Sequence, residues 1–314
     1  MESFFEDVRT KIGGLAWAFG PGSTEDTLSF TVTGEGEKSR QLLAQYWLEG
    51  AVPVPGWDFY CSRQATPAEH LDGIKIQVGD ACVDTTTMLI DTEVDDESQV
   101  VDLQAWHPAF EALDENGRYH ITFLLLDESL GEYGTQTKLG KIEIKPGAEG
   151  QPLSKPLAEL PSYLESLWAE KDWEENSPLE TYTGYQAEPT DDFVRSDTIA
   201  GYTNVPEVVV AYLDSDGQLG ESPLDGTGAD FYFVKLDRSE LPQDHDPLAF
   251  RTEIETEVAR RIAGGGGYVI GGATGTDCSY VDAIIFDGDR SLAAIREAID
   301  LTFNGDFEIL PFFS

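Results

Sequence analysis

The sequence predicts an α+β fold: two mainly antiparallel sheets with helices, the C-terminal half ferredoxin-like in a ββαββαβ order. Three observations carry this. Short runs that alternate apolar and polar residues, or that are continuously apolar, recur between Gly-, Pro- and Asp-rich breaks. Two C-terminal segments place apolar residues at three- and four-residue spacing behind an Asp. Strict strand–helix alternation is missing, so a doubly wound parallel sheet is not expected. The organisation expected is an N-terminal α+β domain over 1–145, a Pro- and aromatic-rich connector over 146–193, and a C-terminal α+β domain over 194–314.

Taken in order, residues 2–19 read as a helix, with Phe4, Phe5, Val8, Ile12, Leu15 and Phe19 on one stripe and Gly20-Pro21-Gly22 as the stop. Leu28–Thr33 alternates as a strand. Glu37–Leu48 is a helix with Leu42, Leu43, Tyr46 and Trp47 inward, closed by Val52-Pro53-Val54-Pro55. Trp57–Ser62, Ile74–Val78, Met88–Asp91 and Val100–Leu103 read as strands, with hairpin character at Gly79-Asp80. Ile121–Leu126 is continuously apolar and six residues long, which fits a strand buried on both faces. A turn at Leu130-Gly131 then leads to an alternating strand at Leu139–Ile144.

In the connector, a helix over Ser162–Lys171 carries Tyr163, Leu164, Leu167 and Trp168 on one side. Glu207–Leu213 and Phe231–Leu236 read as strands. Asp246-Pro247 is an N-cap and first-turn pair that opens a helix facing inward with Leu248, Phe250, Ile254, Val258 and Ile262. Gly264–Gly267 ends it. Tyr268–Ile270 and Tyr280–Phe286 are strands. Asp289 caps a helix with Leu292, Ile295 and Ile299 inward, and Phe307–Phe312 is the last strand.

FLLLDESLGEYGTQTKLGKIEI, at Phe123–Ile144, resembles the signature of an uncharacterised bacterial family in which a leucine-rich strand runs into LD, LGEY and T-K/R-x-G-x-IEI. The PGW at Pro55–Trp57 and GGATGTDCSYVDAIIFD at Gly271–Asp287 are similar to further motifs of that family. The resemblance spans most of the chain and implies a family without implying a reaction.

The formal net charge is −39, with 59 acidic against 20 basic residues. Acidic residues outnumber basic ones in 1–150, 151–200 and 201–314 alike, so no acidic tail explains it. A surface of this sign disfavours nucleic acid and anionic membrane, both of which need a basic footprint. It fits either a solvated surface or a face that receives a basic protein. Three cysteines without a CxxC pair point to a reducing compartment with buried thiols. MESFFEDVRTKIGG has neither the basic nor the apolar region of a signal peptide, and no apolar run reaches about 20 residues. A cytoplasmic location is the expectation.

Motifs that carry chemistry largely fail. GGGGYVIGGATGTD, Gly264–Asp277, has neither a dinucleotide-binding GxGxxG nor a Walker lysine, and it reads first as a helix end followed by a bulged hairpin. The loop from Asp214 to Asp225 misplaces the glycine of an EF-hand. His70, His107, His120 and His245 lack metal-ligand spacing, and there is no GxSxG elbow. No metal and no cofactor are therefore expected, and no residue stands out as catalytic.

The candidate ligand-binding residues are Asp127, Glu132 and Tyr133 past the apolar run, and Thr274, Thr276, Asp277 and Asp282 on the C-terminal hairpin. Paired carboxylates are suited to acid–base work. Strand ends and turns use the same residue types, and Thr274 and Thr276 are expected to bond the turn backbone. The leading expectation is a non-enzymatic, immunity-like protein that binds a basic protein partner. The alternative is an enzyme or small-molecule binder with a site where the two halves meet.

Overall fold

The computed structural model describes residues 14–78, 81–147, 154–239, 241 and 245–313. It has the α+β class, with mainly antiparallel sheets. The chain divides into two units, one built from 18–36 and 60–178, the other mainly from 37–59 and 179–314. The N-terminal segment thus contributes to both units. The helix expected over 2–19 lies outside the described residues as far as residue 13. From Ala16 to Pro21 the chain is instead strand β1. Among the described residues no helix is long and apolar enough to cross a membrane.

β2 (Leu28–Thr33), α1 (Lys38–Gly50) and β3 (Trp57–Tyr60) follow the predicted bounds closely. The first unit, which holds β2 but not α1, includes α2 (Ala68–Leu71) and the hairpin of β4 (Lys75–Val78) and β5 (Ala81–Asp84), whose turn at 79–80 lies outside the described residues. Cys61 and Cys278 are buried as expected, but Cys82 on β5 is exposed. A four-stranded sheet then forms from β6 (Leu89–Asp95), β7 (Val100–Trp106), β8 (Leu139–Lys145) and β9 (Lys155–Pro156), in the order β8-β7-β6-β9.

β7 and β8 are parallel, because the chain between them is α3 (Glu115–Lys138) and not a strand. Ile121–Leu126 is the middle of that helix. Its buried positions, Ile121, Thr122, Leu125, Leu126 and Ser129, recur at helical spacing, while Phe123 is exposed. Asp114 starts the helix by accepting the Gly117 N–H at 2.8 Å. A short apolar run does not distinguish strand from helix, and here the cap and the good helix formers around it decide.

A bulge separates Val101 and Leu103 in the β7–β8 register, pairing Val101 with Leu139 and Leu103 with Ile142. The extra residue on β8 lets Leu139 and Ile142 both face the core, which simple alternation would forbid. α4 (Leu160–Lys171), in the expected connector, packs Leu160, Leu164, Leu167 and Trp168 into the same core.

The second unit is one antiparallel sheet of six strands: β10 (Thr183–Gln186), β11 (Thr198–Thr203), β12 (Asp230–Asp237), β13 (Gly267–Gly275), β14 (Cys278–Ile285) and β15 (Phe307–Pro311). Their spatial order is β10-β11-β13-β14-β12-β15. Glu207–Leu213, read as a strand, is helix α5 (Pro206–Asp214). Pro206 presets the first turn, and Val205, Val208, Val209 and Tyr212 share one buried face at spacings of three and four. The ββαββαβ order expected for this half is therefore replaced.

From β12 onward the path is β12, α6 (Pro247–Ile262), β13, β14, α7 (Asp289–Thr302), β15. α6 and α7 cover one face, through Ile254, Val258, Ile295 and Ile299 against Val234, Val281 and Ile285. α5 and Leu42 of α1 cover the other. The sheet is thus covered by helices on both faces. Every residue of β14 is buried. Asp246 caps α6 as expected, whereas α7 is capped from Asp287, which accepts the Ser291 N–H at 3.0 Å.

Burying β14 on both faces carries Asp282 inside. Its carboxylate is fully buried and takes both terminal nitrogens of Arg195, with Nη2–Oδ2 at 2.8 Å. Arg195 Nη2 also donates to Tyr185 Oη at 2.9 Å, and the rings of Phe233, Tyr280 and Phe312 surround the guanidinium at 5.0 to 5.3 Å. Arg195 holds a left-handed backbone, φ 80, uncommon for a residue with a β-carbon. Burial opposes the guanidinium charge, but Asp282 and Tyr185 outweigh it and the net shift of its pKa is upward.

Breaking this pair leaves an uncompensated charge in the core. Asp282→Ala is expected to lower the unfolding free energy in urea by about 3–5 kcal/mol. A loss below about 1 kcal/mol would show that the pair is solvated.

Candidate binding site at the bend of α3

α3 is not continuous. Gly131 has φ 73 and ψ 160, which breaks the helix after its fourth turn. The groups released there find partners in the segment after β3. Glu132 N–H donates to the Arg63 carbonyl at 3.0 Å, and Thr66 N–H to the Glu128 carbonyl at 2.8 Å. The predicted turn at Leu130-Gly131 is real, but it interrupts a helix instead of joining two strands. A β-carbon on Gly131 would lie 3.0 Å from Ala65 N and 3.1 Å from the Arg63 carbonyl oxygen, so both the dihedral and the close approach require glycine.

The bend opens a new helix N-terminus at Glu132, and its side chain, 2% exposed, is committed to three donors. Thr33 Oγ1 donates to Oε2, Gly36 N–H donates to Oε1 at 3.0 Å, and Arg63 N–H donates to Oε2 at 3.3 Å. Glu35, beside this knot, pairs with Arg63 at 2.6 Å. Burial raises the Asp127 carboxyl pKa, against the lowering effect of Thr135, and Glu132 adds to the rise. Tyr133 Oη lies 3.7 Å from Cys61 Sγ. Asp127, Glu132 and Tyr133 are therefore brought together, as the sequence groups them. Their geometry is that of a clamp joining β2, the segment after β3, and α3.

The C-terminal candidates separate into two settings. Thr274 accepts from Arg251 Nη1 at 3.1 Å. It does not bond the turn backbone, and neither does Thr276, whose hydroxyl donates to Asp277 Oδ2 at 3.1 Å. The turn is held from outside by Asp197. Its Oδ2 accepts the N–H groups of Asp277 and Cys278, both at 3.1 Å, and Tyr280 Oη bonds Oδ1. A bulge is present, but between Val269 and Gly271, ahead of the hairpin turn. Asp282, a ligand-binding candidate from sequence, is the buried partner of Arg195: a strand covered on both faces has no solvent side. On the opposite face Arg251 Nε lies 3.0 Å from Glu255 Oε1, and Glu255 Oε2 accepts from Tyr202 Oη at 2.7 Å. Burial raises the Glu255 pKa, against Tyr202 and Arg251.

Next to the bend lies a recess of about 590 Å³, lined in part by Ala65, Ser129 and Leu130, with α4 opposite. Trp168 and Trp173, Glu165, Asp172 and Glu175 face it, with Lys138 from the end of α3. None of these was a candidate from sequence. The usable signal was the pair of tryptophans five residues apart with carboxylates interleaved, in Trp168-Ala169-Glu170-Lys171-Asp172-Trp173. No protein-family model, no curated protein and no solved structure matches this chain.

Gly131→Ala is expected to cost about 1–3 kcal/mol in a urea melt, since the alanine must hold positive φ and displace backbone. Gly50→Ala, where a β-carbon meets nothing within 4 Å, serves as the control and should change little. Equal effects would show that the bend is not a constraint.

The raised Asp127 pKa has a definite sign in stability. Its contribution is full below the ordinary value of 3.8 and is lost as pH rises through the folded-state value. Asp127→Asn should therefore gain on the wild type between pH 4 and pH 7 in parallel melts. A difference that shrinks over that range would reverse the assignment.

Proposed function

We propose that the protein binds a basic protein partner through its acidic surface, in the manner of an immunity or antitoxin-like protein, in a cytoplasmic setting and without catalysing a reaction. One observation carries the reading: buried carboxylates are bonded, whereas a group of exposed ones is not ion-paired. Glu132, Asp197, Glu255 and Asp282 are bound by named donors. Around the end of α4, Glu165, Glu170, Asp172 and Glu174 are exposed and make no ion pair among the described residues. A face with several uncompensated negative charges raises the rate of encounter with a cationic surface and rejects anionic ones. The resemblance carried by Pro55–Trp57, Phe123–Ile144 and Gly271–Asp287 belongs to the same proposal.

The partner is expected to be strongly basic, with a pI above about 9. The immobilised chain should retain such a protein from its native host at physiological salt and release it as salt is raised. Retention of acidic proteins only, or release that ignores salt, would refute the proposal.

A further inference from the structure

The end of α4 builds one wall of the recess. Asp172 adopts left-handed backbone, φ 55 and ψ 39. Its N–H and that of Trp173 both return to the Trp168 carbonyl, the latter at 3.1 Å. This closure folds Trp173 back against Trp168, with ring centroids 4.8 Å apart at 88°. Two indoles are thus fixed at right angles beside the second half of α3, whose direction the Gly131 bend sets.

The recess already accommodates a cation. Lys138 Nζ lies 5.5 Å from the Trp168 ring centroid and 2.7 Å from Glu175 Oε1. The ammonium therefore sits between an aromatic face and a carboxylate, both of which favour positive charge. Two further lining carboxylates, Glu165 and Asp172, have no ion-pair partner among the described residues. The volume, about 590 Å³, is in the range of small-ligand sites, about 300–1,000 Å³. It exceeds what one lysine fills.

We infer that this recess receives an arginine side chain of the basic partner, an inference that rests on the function proposed above. Arginine fits better than lysine for two reasons. Its planar guanidinium stacks on indole rings, and its fork of N–H donors can serve two carboxylates at once, here Glu165 and Asp172. The surrounding acidic surface attracts the partner, and the two tryptophans select the residue that is inserted.

The test uses the full-length chain and an oligoarginine peptide at physiological salt, read by tryptophan fluorescence and calorimetry, with oligolysine as the comparison. Oligoarginine is expected to bind about tenfold more tightly than oligolysine. Glu165→Gln with Asp172→Asn should weaken oligoarginine about tenfold, and asparagine preserves the left-handed backbone at 172. Glu253→Gln with Asp300→Asn, the same charge change on exposed positions of α6 and α7, should alter it less than about twofold. Trp173→Ala should match the recess pair, and Trp173→Phe should recover most of the loss. If Trp173→Ala does not fold, the carboxamide pair alone decides the matter. Equal weakening by both carboxamide pairs, or equal affinity for the two peptides, would overturn the arginine recess and leave the acidic-surface function standing. Failure of the wild-type chain to bind either peptide would overturn both.

Discussion

The Glu132 carboxylate, held by Thr33, Gly36 N–H and Arg63 N–H, is the constraint on which the first unit depends. It sits where α3 breaks, and a break in a helix exposes donors and acceptors that must be satisfied. The segment 63–66 supplies them, and Glu132 in turn satisfies the segment and the turn after β2. Three stretches distant in sequence are fastened by one side chain. The same bend sends the second half of α3 toward α4, which places Lys138 over Trp168 and creates the recess. Fold and candidate site share a cause.

The second unit solves a similar problem by a different route. A six-stranded sheet covered on both faces buries β14 entirely, and Asp282 goes with it. Arg195 neutralises it inside an aromatic enclosure, at the cost of a strained backbone at residue 195. Asp197, two residues on, anchors the β13–β14 turn through its carboxylate. A short segment, Arg195–Asp197, therefore ties down both the middle and the end of the central hairpin. In a chain of net charge −39, these interior carboxylates are few and bonded, and repulsion among the rest is left at the surface. That surplus is what a basic partner would relieve.

Much of this was legible in the residues. Capping residues and apolar spacing identified α1, α6 and α7 and the strands β2, β6, β7, β12 and β15, because their apolar positions recur in period and their ends carry Asp, Pro or Gly; β14 was legible as an apolar run between turns. Two helical segments were misread as strands for one reason. Ile121–Leu126 and Glu207–Leu213 are apolar runs rich in β-branched or branched residues, and such runs have no period from which to decide. Asp114 and Pro206, the start signals just before them, were the available evidence. Asp127, Glu132 and Tyr133 were grouped correctly because they are neighbours along the chain. Thr33, Gly36 and Arg63 were not, because nothing local links residues so far apart. The Trp168–Trp173 pair was half visible: a Trp on a helix face was noted, but the left-handed closure at Asp172 that folds the second Trp back has no sequence marker beyond an aspartate.

The bend of α3 and the end of α4 together form the surface proposed to meet a basic chain. Hydrogen exchange of the full-length protein with and without an oligoarginine peptide tests it most directly. Slowed exchange concentrated in 129–138 and 161–175, with the six-stranded sheet unchanged, is the predicted result. Slowed exchange spread evenly over the acidic surface, or confined to the β13–β14 hairpin, would contradict it.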